Sequence, residues 1–314
     1  MTFPTRILAA LGLAAVLAGC GTLPDGRPFA DASSALSASV KTSGQAVSDS
    51  LRDAGGVMPA GEAASYAQLA SDLDKVWAER IKATQAAAAY SQAIADLIAA
   101  GNAGAETAKQ VGDSLGALAT AAGIPVAAPV AGVAGDLARF LFERIAIVRA
   151  SQKLEDAVDL AQPAVDRIAE HLADESVNKL KPILKSAYLN SISAIEGSYG
   201  TDADFDQQLL KRRKVLLEEV LKDAKKEPAL RELDRTREIV APRLKERDQK
   251  VEQVSIAYKT RLQLVNALAN SATAWAAAHR DLASAIREKR KVTVTELQET
   301  VTELKDLVKK VRAL

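Results

Sequence analysis

Catalysis requires nucleophiles, acids, bases or metal ligands at workable spacing, and this 314-residue chain holds few of them. There is one cysteine, Cys20, and there are two histidines, His171 and His279. The histidines lie more than a hundred residues apart, and neither has a second histidine three or four positions away to build a helical metal site. No GxSxG, no HExxH and no glycine-rich phosphate loop ending in Lys-Ser/Thr occurs. Glu218 and Glu219 are neighbours, so on a helix they diverge and cannot act as a facing acid/base pair. A lone cysteine also forbids an internal disulfide framework. The expectation is therefore no enzyme, no cofactor, no metal and no small-molecule substrate, with both histidines as helix-face residues and Trp77 and Trp275 as core plugs.

What remains is the cysteine and its position. Residues 1–6 carry one positive side chain, Arg6, residues 7–16 form a short apolar run, and small residues then lead to Cys20. A run that short cannot cross a hydrocarbon core of ~30 Å as a stable helix and has the form of a removable signal segment. A simple secretory cleavage would leave the thiol free. However, Leu17-Ala18-Gly19-Cys20 resembles the lipobox of bacterial lipoproteins. The resemblance implies that residues 1–19 are removed and that Cys20 is acylated through its sulfur, palmitate included, and becomes the mature N-terminus. One acyl chain binds a membrane only marginally, whereas the several chains implied here would hold permanently. Gly21 in place of aspartate is similar to lipoproteins exported to the outer membrane, which implies an anchored protein facing the periplasm. Its partners would be the membrane and an envelope protein or a second copy.

The elements behind that anchor are set by composition. Aromatics make up 4% of the chain, hydrophobics 48%, and alanine supplies much of the latter. Sheets favour aromatic and β-branched residues, while alanine is the strongest helix former, so the fold class is all-α. Residues 20–60 are rich in Gly, Ser, Ala, Asp and Pro and are expected to be a flexible tether, with only weak helical spacing at Leu36, Val40, Val47 and Leu51. Residues 61–314 are expected to form an elongated antiparallel bundle of long, coiled-coil-like helices. The first runs over 62–100 on a stripe that includes Tyr66, Leu69, Leu73, Val76 and Trp77. Gly197-Ser198-Tyr199-Gly200 predicts a turn, Thr201-Asp202-Ala203-Asp204 an acidic helix start followed by Phe205, Leu209, Leu216, Val220 and Leu221, and Pro228 an interruption. After Pro242 nothing breaks a single helix to about Lys291. Thr293 and Glu296 match a capping box, and Leu297, Val301, Leu304, Val308 and Val311 then step four, three, four, three.

One segment departs from the pattern. Residues 114–135 carry no charge, yet four glycines and two prolines make a straight membrane-spanning helix a poor reading. The segment can turn the chain at one end of the bundle, dock a partner, or enter lipid as a hairpin with arms 115–122 and 126–134. Long helices interrupted by such a hairpin resemble the cytolysin-A-type α-helical pore-forming toxins, though a lipobox departs from that family. That resemblance implies a membrane-active protein with Leu115, Leu118, Ile124, Val126, Val130 and Val133 contacting lipid.

Charge is unevenly divided: residues 21–200 hold fifteen basic and twenty-one acidic side chains, residues 201–314 twenty-five and nineteen. Helices from the two halves should attract. The basic runs at 211–214 and 287–291 lack interleaved aromatics, which argues against nucleic acid and for solvated helix ends.

Overall fold

In the computed structural model the described residues are 24–99, 105–121, 154–292 and 295–314, and all regular structure among them is helical. The elements are α1 (Arg27–Val57), α2 (Ala60–Ala99), α3 (Ala105–Ala121), α4 (Leu154–Glu175), a π-turn (Ser176–Leu180), α5 (Lys181–Ser198), α6 (Gly200–Val220), a short 3-10 turn (Ala224–Lys226), α7 (Glu227–Glu288) and α8 (Thr295–Arg312). The all-α reading holds. The described residues divide into two compact units. The first draws on the described residues within 24–41, 77–175 and 267–306, the second on Thr42–Val76, Ser176–Asn266 and Leu307–Leu314.

The expected tether over 20–60 is corrected by α1, a 31-residue helix. Phe29, Leu36, Val40, Val47, Leu51 and Ala54 are all buried along it. Serines fill the space between them: the buried Ser43 hydroxyl has no partner among the described residues, while Ser33, Ser39 and Ser50 each donate to the carbonyl four residues back, at 2.8, 2.8 and 2.9 Å. Such a serine buries much as an alanine does, so a segment polar by composition still has an inward face.

In the first unit the helices pack antiparallel. Val40 of α1 meets Trp77 of α2, whose indole N–H donates to the Val40 carbonyl at 2.7 Å. At the other end of that pair a Cβ on Gly26 would come within 2.8 Å of Ile98 and 3.0 Å of Ala95, so only glycine permits this approach. Likewise α4 runs against α7, with Asp159 facing Arg287, Gln162 facing His279 and Asp166 facing Arg280. Two of these are acidic-half to basic-half pairs, as the charge division predicts. Helix α7 ends at Lys289, which takes φ 52°, and the Arg290 amide donates back to the Ala285 carbonyl at 3.0 Å. This is the left-handed helix ending usually built on glycine, here carried by a lysine.

In the second unit α6 and α7 form an antiparallel hairpin closed by Arg213–Asp234 at 2.6 Å, Arg237–Asp206 at 2.9 Å and Arg243–Asp202 at 2.8 Å. Leu51, Ala54, Ala70 and Ala187 form a small core with Tyr66, Leu73 and Ile183 packed on it. Ala70 takes an inward position while Leu69 and Val76, assigned to the apolar stripe of the first helix, are exposed. Neither proline of α7 stops it: Pro228 sits in the first turn, where an amide has no helical partner anyway, and Pro242 lies inside the helix. The predicted 197–200 turn reduces to Tyr199 alone, with φ −112° and ψ 5° between α5 and α6. In α8, Leu297, Val301 and Leu304 are buried as their spacing predicts, but Leu307 rather than Val308 takes the next inward place and Val308 and Val311 are half-buried, while Thr293 of the expected capping box lies outside the described residues.

Candidate functional site

Of the residues singled out from sequence, Cys20, Ile124, Val126, Val130 and Val133 lie outside the described residues. Leu115 and Leu118 are described, and both are turned inward at 3% and 0% exposure, on the face of α3 that carries Val111 and packs against α4. Their side chains are packed into the protein core in this conformation. No helix among the described residues is long and apolar enough to cross a membrane.

His279 is not an ordinary helix-face residue. It is fully buried in the first unit between Tyr90, whose hydroxyl lies 2.9 Å from Nε2, and Gln162, whose Oε1 lies 2.7 Å from Nδ1. The Gln162 amide nitrogen donates to Asp166, so its oxygen is left to accept. That places the ring proton on Nδ1 and makes Nε2 the acceptor of the Tyr90 hydroxyl. Burial pushes the His279 pKa down to about 3, with Arg280 adding to the effect. Phe29 lies 5.6 Å from the His279 ring and stacks on Trp275 at 6.4 Å, and the Trp275 indole donates to Ser33 at 2.8 Å. Elsewhere in the first unit the carboxylate of Glu175, also buried, accepts two bonds from the Arg80 guanidinium, which raises the Arg80 pKa. A neutral imidazole held between a phenol and an amide, with no exposed reacting partner, is a core connector.

The second unit holds a cleft of about 820 Å³. Its apolar wall comes from residues such as Leu184, Ile195 and Val254. Tyr188 and Tyr258 stack on one another at 4.3 Å and 11° on its lining. Arg261 reaches in from α7 and donates to Ser50 at 2.9 Å and Asp53 at 2.8 Å, and its Nε is buried without a partner. Lys250 donates to the Tyr199 hydroxyl at 2.9 Å and pairs with Glu246 at 2.8 Å, and these two contacts push its pKa up to about 12. Arg243 and Lys250 lie 5.7 and 5.3 Å from the Tyr199 ring centre, a cation on an aromatic face in each case. The cleft offers cations, aromatic faces and apolar walls, which suits recognition. Among the described residues no group of three His, Cys, Asp or Glu side chains converges to hold a metal.

Sequence reasoning missed the exposed apolar surface of the second unit. Every large hydrophobic residue exposed among the described residues belongs to the second unit, from Val57, Leu69 and Val76 to Leu189, Phe205 and Ile256. Ile239 is 74% exposed and Leu221 is 87% exposed. Of the apolar residues Phe205, Leu209, Leu216, Val220 and Leu221, only Leu216 is buried, while Phe205 and Leu221 face out. A helical stripe in a sequence shows that two faces differ; it does not show that a neighbour covers the apolar one.

No family model, no curated protein and no solved structure matches this chain.

Proposed function

We propose that this chain is a lipid-anchored lipoprotein of the cell envelope, held in the outer membrane through Cys20 and facing the periplasm, with a structural or protein-binding role. The observation that carries the reading is the apolar run of residues 7–16 leading into Leu17-Ala18-Gly19-Cys20. Two features support it. The apolar and aromatic surface of the second unit suits contact with another macromolecule better than turnover of a small one. Helix α1 begins at Arg27, seven residues after Cys20. Seven residues reach at most about 25 Å, so the anchor keeps the folded part close to the bilayer.

The test is Cys20→Ala. The expected outcome is loss of the acyl mass from the N-terminal peptide and loss of salt-resistant, detergent-extractable membrane association, with circular dichroism unchanged. An unacylated cysteine in the native chain, found by intact-mass analysis, would reject the reading.

A further inference from the structure

The linkage between α6 and α7 is the barest part of the described surface: residues 221–229 are exposed without interruption. Leu221 stands there at 87% exposure. At about 100° per residue, Leu210, Leu217 and Leu221 fall within roughly 40° of one another on α6, and Lys214 falls within about 20° of Leu221. All four are exposed. Around this stripe cations outnumber carboxylates, with Glu218 four residues from both Lys214 and Lys222. Arg213 is held by Asp234, Lys226 lies 3.8 Å from Glu219, and Arg231 is held by Glu227. Lys214, Lys222 and Lys225 take no carboxylate partner among the described residues, and the Asp223 side chain is occupied as acceptor of the Lys225 amide at 3.0 Å.

We propose that this hairpin tip docks on an anionic phospholipid surface, with Leu221 entering the boundary between headgroups and acyl chains and Lys214, Lys222 and Lys225 meeting the phosphates. Charge complementarity and side-chain type both choose lipid. Protein interfaces are depleted in lysine and built on buried aromatic anchors, whereas this tip has lysines and isolated leucines and no aromatic residue between 206 and 257. A lysine stem lies along apolar surface while its ammonium stays among phosphates, so Lys and Leu side by side fit the depth profile of a bilayer interface. Each lysine near an anionic leaflet contributes about a fivefold gain in binding. The contact is independent of acylation at Cys20.

The test uses the full chain carrying Leu221→Trp, mixed with phosphatidylcholine vesicles containing one quarter phosphatidylglycerol or none. The native Trp77 and Trp275 are buried, so the added indole reports on the tip. Expected is a blue-shifted emission, quenched by brominated lipid, on anionic vesicles only. Lys214→Gln, Lys222→Gln and Lys225→Gln together should then raise the lipid concentration at half-shift on the order of a hundredfold. Three results overturn the proposal. One is an equal shift on neutral vesicles. Another is an unchanged titration in the triple lysine variant. The third is an indole still in water while the chain sediments with anionic vesicles, which would place the lipid contact elsewhere on the chain. Because the readout sits at residue 221, attachment through the N-terminal segment leaves it untouched, and failure of the acyl anchor and failure of the tip contact are separate results.

Discussion

His279 shows how one buried side chain can set the response of a fold to acid. Its pKa in the folded chain is pushed down to about 3, against about 6.5 when unfolded. Above pH 6.5 the ring is neutral in both states, and its contribution to stability is complete. Below that, the unfolded chain takes up a proton that the folded chain refuses, so stability falls as pH falls, by up to roughly 1.4 kcal/mol per unit, until pH approaches 3. The groups facing the ring do not supply a compensating negative charge: Tyr90 is itself held neutral by burial, Gln162 is uncharged, and Arg280 is a cation paired with Asp166. Between pH 6.5 and 5, where most carboxylates stay ionised, urea titrations should show stability dropping by about 1 to 2 kcal/mol. His279→Gln should flatten that slope while lowering stability at pH 7, and an unchanged slope in the variant would move the acid sensitivity elsewhere.

At the scale of the element, the end of α7 carries an unusual residue for its conformation. A left-handed backbone costs a residue with a Cβ roughly 1 kcal/mol, and glycine avoids that cost. Lys289 holds φ 52° because the Arg290 amide completes the helix ending on Ala285 and the Arg290 guanidinium binds Asp281 at 2.6 Å and Glu288 at 2.7 Å. Lys289→Gly should therefore stabilise the chain by about 1 kcal/mol in thermal or urea unfolding. A loss of stability instead would show that the lysine side chain makes a contact worth more than the backbone cost. The hairpin of α6 and α7 shows the opposite economy. Its ion pairs are partly exposed and individually worth ~0 to 1 kcal/mol, so they fix register more than they add stability.

For the molecule as a whole, the question is where the folded part starts. A flexible segment over residues 20–60 would be cut by trypsin at Lys41 and Arg52 as fast as any unfolded peptide, Arg27 being shielded by Pro28. Lys41 and Arg52 sit within the helix α1, whose inward residues are buried in both units, so cutting there requires helix opening. Limited trypsin digestion should cut first at Lys222, Lys225 and Lys226 or at Lys289 to Lys291, with Lys41 spared on the same time scale, read by mass spectrometry of the fragments. Early cleavage after Lys41 would restore the tether.

The sequence by itself determined the all-α class, the long helices, the inward stripe of Leu297, Val301 and Leu304 and the attraction between an acidic and a basic half, because each follows from composition or from a period that a single helix imposes. It also carries the whole argument for Cys20, since a leader and its cleavage signal are read as linear chemistry. Only the tertiary structure decided that α1 belongs to the core, that His279 is sealed between Tyr90 and Gln162, and that Leu221 faces water while Leu115 and Leu118 do not. Periodicity gives a helix its faces. Which face is covered depends on residues tens or hundreds of positions away, and a buried serine or histidine is told from an exposed one by the partner that satisfies it.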